Sequence, residues 1–213
     1  MNLHHETIYL ATSDLVRRVR DDLLRVAGPA GGPAWDAGQR ADLFAQLECG
    51  WPTGPMLAWS PSGLRYQRWY LLDGHRRTAT LMSCLDEDVD LVRDLSATEP
   101  TYLPASQATA DGMYWPVNAM MLTMRFLHHA RTVKDTMPRP ALDRAERAAG
   151  QLVRMKLDML LLLGGTAATV AQLCDRLLPG RVQPAVLTQI AAEPDNTPSG
   201  SSPAQIEYRG AGV

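Results

Sequence analysis

The sequence predicts an α+β domain, a small sheet joined to a mainly helical C-terminal half. Two apolar, aromatic-containing runs at 56–59 and 66–72 flank Ser60-Pro61-Ser62-Gly63, a strong turn sequence, and together read as a β-hairpin. Asp73-Gly74 follows at once, and behind it comes a helix-forming stretch, so the local order is strand, tight turn, helix. From Pro116 onward apolar positions recur at helical spacing. A chain of 213 residues that is 46% hydrophobic and 21% charged has enough apolar material for a core and suits one domain. That domain is expected over residues 1–190. Residues 191–213, rich in Pro, Ser and Gly, are expected as a disordered tail.

Each element has its own signal. Residues 13–26 carry Leu15, Val19, Leu23 and Leu24 at helical spacing with Ser13 available as N-cap, and Gly28-Pro29-Ala30-Gly31-Gly32-Pro33 breaks that helix. A second helix fits 36–48, with Ala41, Leu43, Phe44 and Leu47 on its apolar side and Cys49-Gly50-Trp51-Pro52 as its stop. The helix behind Asp73-Gly74 is expected over 75–85. The acidic stretch 86–90 leads to a short strand at 91–95 and irregular chain through Gly112. Three helices complete the pattern, at 117–132, 142–163 and 166–178, the last opening after Gly164-Gly165. There is no internal repeat at a fixed period.

Composition excludes several function classes. With 21 basic and 23 acidic side chains the formal charge is −2, which argues against gripping a nucleic-acid backbone or an anionic membrane by bulk charge. Nineteen of the basic residues are arginines, the lysines being Lys134 and Lys156. Coding bias explains most of that excess, yet guanidinium groups also bind oxyanions in a bidentate manner that lysine cannot match. Cys49, Cys84 and Cys174 are widely spaced and include no CxxC pair, which suits small buried side chains in a reducing compartment better than a disulfide or zinc framework. The N-terminal residues are polar where a signal peptide is apolar. The most apolar run, 157–163, contains Asp158 and is too short to span a bilayer. A cytoplasmic protein with no membrane partner is expected.

The chemistry concentrates in Asp73-Gly74-His75-Arg76-Arg77-Thr78-Ala79-Thr80. Amides in a first helical turn carry partial positive charge and attract anions. The same dipole disfavours Arg76 and Arg77 there unless an anion is bound, a local conflict that points to function. Gly74 permits a sharp turn and close approach of a ligand. Asp73 fits three roles: helix N-cap, metal ligand, or a group orienting an attacking atom beside a phosphate.

Asp73-Gly74-His75-Arg76-Arg77 resembles the DGQQR-type motif in the N-terminal domain of GmrSD-like, modification-dependent restriction enzymes, part of the ParB/sulfiredoxin-like superfamily. The likeness extends loosely over residues 10–185. Gly50-Trp51-Pro52-Thr53-Gly54 resembles the family's Gly-aromatic-Pro-x-Gly segment, and Thr78-Ala79-Thr80-Leu81 its Thr-rich helix start. The stretch 171–180 sits where the family has a Phe-x-Arg-x-Asn-x-x-Gly element. The resemblance implies a ParB/sulfiredoxin-like sheet and a nucleotide-phosphate pocket. In that pocket Asp73 would act on metal or water and Arg77 on phosphate oxygens. Gly54, Gly74, His75, Arg76, Thr78 and Thr80 would contact the nucleotide, and an NTP with Mg²⁺ would be the ligand. The implied role is nucleotide binding, with or without hydrolysis, in DNA restriction or phage defence.

Departures from the family bear on hydrolysis more than on binding. Gly31-Gly32-Pro33-Ala34 stands ahead of Trp35 in place of a Gln-Arg pair, Leu178 replaces the late Asn, and Gly180 falls one residue early. No His follows His129 and no His-Asn-His grouping is present, so any cutting is expected of a separate nuclease chain. A non-catalytic nucleotide-sensing or partner-recruiting protein, and a kinase-like relative acting on a small molecule or protein side chain, are the alternatives.

Other features read as structure. His4-His5 and His128-His129 are adjacent pairs whose side chains diverge by about 100° on a helix, which suits neither pair to metal. Met120, Met121 and Met124 read as packing, Trp51, Trp59 and Trp69 as core of the hairpin region, and Arg144, Arg147 and Arg154 as a solvated helix face.

Overall fold

A computed structural model describes residues 2–26, 35–84, 90–110 and 112–193. The fold is α+β. The main sheet has five strands in the order β1-β8-β3-β4-β2, where β1 is His4–Ala11, β2 Leu24–Val26, β3 Met56–Ser60, β4 Trp69–Asp73 and β8 Lys156–Leu163. β3 and β4 pair antiparallel, as the hairpin reading expects, while β2 runs parallel to β4 and β8 parallel to β3. A smaller antiparallel sheet has the order β6-β5-β7, formed by β5 Leu91–Asp94, β6 Tyr102–Pro104 and β7 Tyr114–Pro116.

Two apolar clusters cover the faces of the main sheet. The larger joins Ile8, Met56, Trp69, Leu71 and Met159 to helices α1 (Thr12–Arg20), α2 (Ala37–Cys49), α3 (His75–Ser83), α4 (Val117–Met120) and α6 (Arg139–Arg154). The smaller joins Leu57, Trp59, Tyr70, Leu72 and Leu162 to α7 (Ala167–Leu177) and α8 (Pro184–Ala192). With helices on both sides, β3 is buried at every position, so it reads as a continuous apolar run instead of alternating.

Several expected boundaries move, each for a physical reason. The helix expected over 13–26 ends at Arg20, with Ala11 at the N-cap position in place of Ser13. Asp22 adopts φ 57, and the Leu23 and Asp22 amides donate to the Arg18 and Val19 carbonyls, a Schellman ending. Residues 24–26 are thereby released to form β2. Residues 66–68 lie ahead of β4 in the hairpin loop, with Tyr66 88% exposed.

The largest correction falls on 142–163. Its second half is β8, an eight-residue strand inside the sheet, because α6 stops at Arg154 and the apolar run then pairs with both β1 and β3. A buried strand and a buried helix segment share the same short apolar signature. The C-terminal half is therefore mainly, not wholly, helical. Likewise 117–132 divides into α4 and α5 (Thr123–Val133) around Met121 and Leu122. That break resets the helical phase, so Met120 and Met121 are buried while Met124 is 78% exposed.

β6 forms inside the stretch expected to be irregular through Gly112, and β1 and β7 carry no expectation, β1 because its polar residues hide its alternation. α8 extends to Ala192 and Glu193 accepts hydrogen bonds from Arg25 and Tyr70, so the expected tail boundary at 190/191 lies too early. The expected 28–33 loop, most of the acidic 86–90 stretch, Leu85 as helix end and tail residues 194–213 lie outside the described residues. Among the described residues no helix is long and apolar enough to cross a membrane.

Trp59 and Trp69 are core, their indole N–H groups donating to the Gly164 and Arg65 carbonyls at 2.8 and 3.1 Å. Trp51 instead stands 62% exposed, because Gly50 at φ 71 ends α2 in a second Schellman turn and throws the next residue outward. His128 is exposed, and His129 packs its ring edge-on against Trp115 at 4.7 Å. Arg147 and Arg154 are exposed and Arg144 is half-buried, close to the expected solvated face.

Candidate functional site

Strand directions assemble the site. β4 ends at Asp73, and its antiparallel partner β3 begins at Met56, with Leu57 opposite Asp73. Residues 53–55, leading into β3, must therefore lie beside the Asp73-Gly74 turn. β2, parallel to β4, ends on the same side. The turn thus sits at the end of an interior strand of the sheet.

Gly74 is the N-cap residue of α3, at φ 100, and no side chain caps that helix. Asp73 is therefore not the N-cap. Its side chain is 24% exposed, and Oδ1 lies 3.7 Å from Nη1 of Arg181. Arg181 comes from the turn between α7 and α8, where Gly180 adopts φ 71.

Arg77 faces the 53–55 loop. Its Nη1 donates to the Thr53 carbonyl at 2.7 Å and to the Gly54 carbonyl, and its Nη2 donates to the Pro55 carbonyl at 2.8 Å. A guanidinium has five N–H donors, so these contacts leave at most two for a ligand. Burial pulls the Arg77 pKa below the ordinary arginine value; Asp73 opposes this, and the Arg181 charge adds to it.

The remaining expected residues divide between surface and core. Gly54 is exposed at φ 81, with its Cα face toward Arg77 Nη1. Arg76 is exposed. The His75 ring turns back to the Leu71 carbonyl at 2.8 Å; because a carbonyl only accepts, Nε2 carries the proton. Thr78 and Thr80 are 2% and 4% exposed and face the core side of α3. The Thr78 hydroxyl oxygen is buried without a hydrogen-bond partner among the described residues. The structure thus brings Asp73, Gly74, Arg77 and Gly54 together and places Thr80 inside.

Sequence reasoning missed Arg181 and the three loop carbonyls. The carbonyls belong to backbone and leave no residue-type signal. Arg181 stands more than a hundred residues from Asp73, and its one local sign is the Pro179-Gly180 turn ahead of it.

Among the described residues no group of three or more His, Cys, Asp or Glu converges, so there is no all-protein metal cage. Mg²⁺ fits differently: it is commonly held by one or two carboxylates plus substrate phosphates and water. Asp73, partly exposed at the turn, would offer one such carboxylate. A cavity of about 310 Å³ lies elsewhere, lined by Val16, Arg17, Arg20, Met121 and Val153 among others, and includes none of residues 73–80. Compared with known proteins, the chain matches no protein-family model and no curated protein.

Proposed function

We propose that this chain is a nucleotide-phosphate-binding module whose ligand is an NTP with Mg²⁺, held at the Asp73-Gly74 turn. The observation that carries the reading is the junction itself. An interior strand ends in a carboxylate, and the helix behind it opens on a left-handed glycine with no side-chain cap. Arg181 stands 3.7 Å from that carboxylate, and Arg77 on the first turn of the same helix interacts with it by charge. Two guanidiniums and a helix N-terminus against one carboxylate leave net positive character, which complements a polyphosphate. Asp73 would hold Mg²⁺ at this turn, and the ion would supply neutralisation of the phosphate charge.

Likeness to the GmrSD-type N-terminal domain and the ParB/sulfiredoxin-like superfamily supports a role in restriction or phage defence beside a separate nuclease chain. Phosphate release from several NTPs with Mg²⁺ tests the enzymatic version. Wild type is expected to exceed Asp73→Ala and Arg77→Ala, and equal rates in all three would sink it.

One observation favours a binding role without turnover. Arg77 spends donors on loop carbonyls, so less of it remains to follow charge developing on a transferred phosphoryl group. Nucleotide-dependent thermal stabilisation without phosphate release is the expected signature of this sensing version.

A further inference from the structure

We propose that Arg181, on the turn between α7 and α8, is a second phosphate-contacting residue of the Asp73 site. This inference rests on the nucleotide reading of that site and assigns it a residue from outside the Asp-Gly-to-Arg motif.

Position comes first. Leu178 and Val182, on either side of Arg181, pack against the cluster that contains Leu57 and Leu72. Leu57 pairs with Asp73, and Leu72 precedes it. The backbone of the turn is thus anchored at the end of the sheet where the site opens, and Arg181 reaches Asp73 from the face opposite α3.

The contact with Asp73 does not account for Arg181 by itself. At 3.7 Å the Nη1 to Oδ1 separation exceeds hydrogen-bond range, so the attraction is one of charge alone. The Arg181 side chain is 67% exposed, and ion pairs that open to water contribute little to folding. Arg77 and Arg181 also repel one another, and that repulsion contributes to the lowered Arg77 pKa. Two guanidiniums that repel one another beside one carboxylate are poorly matched as structure and well matched to an incoming oxyanion. In contrast to Arg77, which is fastened to three carbonyls, Arg181 has an exposed stem and a fork suited to bidentate phosphate contact.

The test is isothermal titration of Mg·ATP, Mg·GTP and inorganic triphosphate into the full chain, as wild type, Arg181→Ala and Arg181→Lys, with adenosine as the phosphate-free control. Arg181→Ala is expected to weaken triphosphate binding by about tenfold or more, as loss of a charge-assisted hydrogen bond does. Its melting temperature should stay within about 2 °C of wild type, as for an exposed residue. Arg181→Lys should recover part of the affinity, since charge remains and the fork is lost. Equal affinity of wild type and Arg181→Ala overturns the assignment while leaving the nucleotide reading intact. A melting-temperature loss of many degrees in Arg181→Ala also overturns it, by making Arg181 a folding residue. If wild type binds none of the three polyphosphates, the nucleotide reading falls and Arg181's role with it.

Discussion

Replacing Gly74 with alanine asks one methyl group to enter a turn that has no space for it. A Cβ at this position would lie 2.6 Å from Met56 Cγ, 3.0 Å from Sδ and 3.1 Å from Cβ. Met56 is 1% exposed at the start of β3, so its side chain has no route to solvent. Two costs combine. A non-glycine residue in left-handed conformation costs about 1–2 kcal/mol, and an extra methyl in a packed site typically about 1–3 kcal/mol. The expected loss is roughly 2–5 kcal/mol, which at about 2–4 °C per kcal/mol for a chain of this size lowers Tm by about 4–20 °C. Thermal unfolding followed by circular dichroism reads this directly. Gly54→Ala is the matched comparison, because Gly54 shares the positive φ, at 81°, but its Cβ would meet Arg77 Nη1 at an ordinary 3.6 Å. Strain alone predicts about 1–2 kcal/mol there, or roughly 2–8 °C. Gly74→Ala melting with wild type, or Gly54→Ala falling as far as Gly74→Ala, would refute the reasoning that Met56 packing dictates glycine at the turn.

Three further outcomes follow from the packing. Arg93, 3% exposed, donates to both Glu48 carboxylate oxygens at 2.8 and 3.1 Å, and the Tyr102 hydroxyl donates to the same carboxylate at 2.6 Å. Glu48→Ala strands a buried guanidinium and is expected to cost about 3–5 kcal/mol in urea unfolding; Tyr102→Phe should cost less, about 1.5–3 kcal/mol. Burial against Trp115, with the neighbouring His128 charge, holds the His129 pKa below its ordinary value. The folded state thus favours neutral His129, and its contribution, fully present above the unfolded pKa near 6.5, is lost as pH falls through the lowered folded value. His129→Gln should flatten the stability profile between about pH 7 and 5. Burial pushes the Cys84 and Cys174 thiols up to about 12 and about 11, so a thiol reagent should label Cys49 first in native protein and all three only after unfolding. Rapid native labelling of three thiols would contradict the packing around α3 and α7.

Legibility in the sequence tracked how local the determining interactions are. The α2 boundaries, the β3–β4 hairpin and the strand-turn-helix at Asp73 rest on neighbours within a few residues, such as the Asp36/Gln39 capping box, and these could be read directly. β8 was hidden because the identity of an apolar run depends on its partners β1 and β3, which lie about a hundred or more residues away. β1 was hidden for the converse reason: as an edge strand with one face largely exposed, it carries few apolar residues to announce it. At the site, Asp73, Gly74 and Arg77 stood out through their motif, and the structure brings them together. What the motif could not indicate is the use made of each group. Arg77 is tied to the 53–55 loop, Thr78 and Thr80 are buried, and Arg181 arrives through the packing of α7 and α8.

In the proposed role, the Asp73 turn holds nucleotide phosphate. Equilibrium binding of the four common nucleoside triphosphates with Mg²⁺, measured for wild type beside Asp73→Ala, tests it most directly. Saturable binding of at least one triphosphate by wild type, weakened about tenfold or more in an Asp73→Ala protein that remains folded, is the predicted result. Absence of binding to any triphosphate at millimolar concentration, or equal binding by the two proteins, would contradict it.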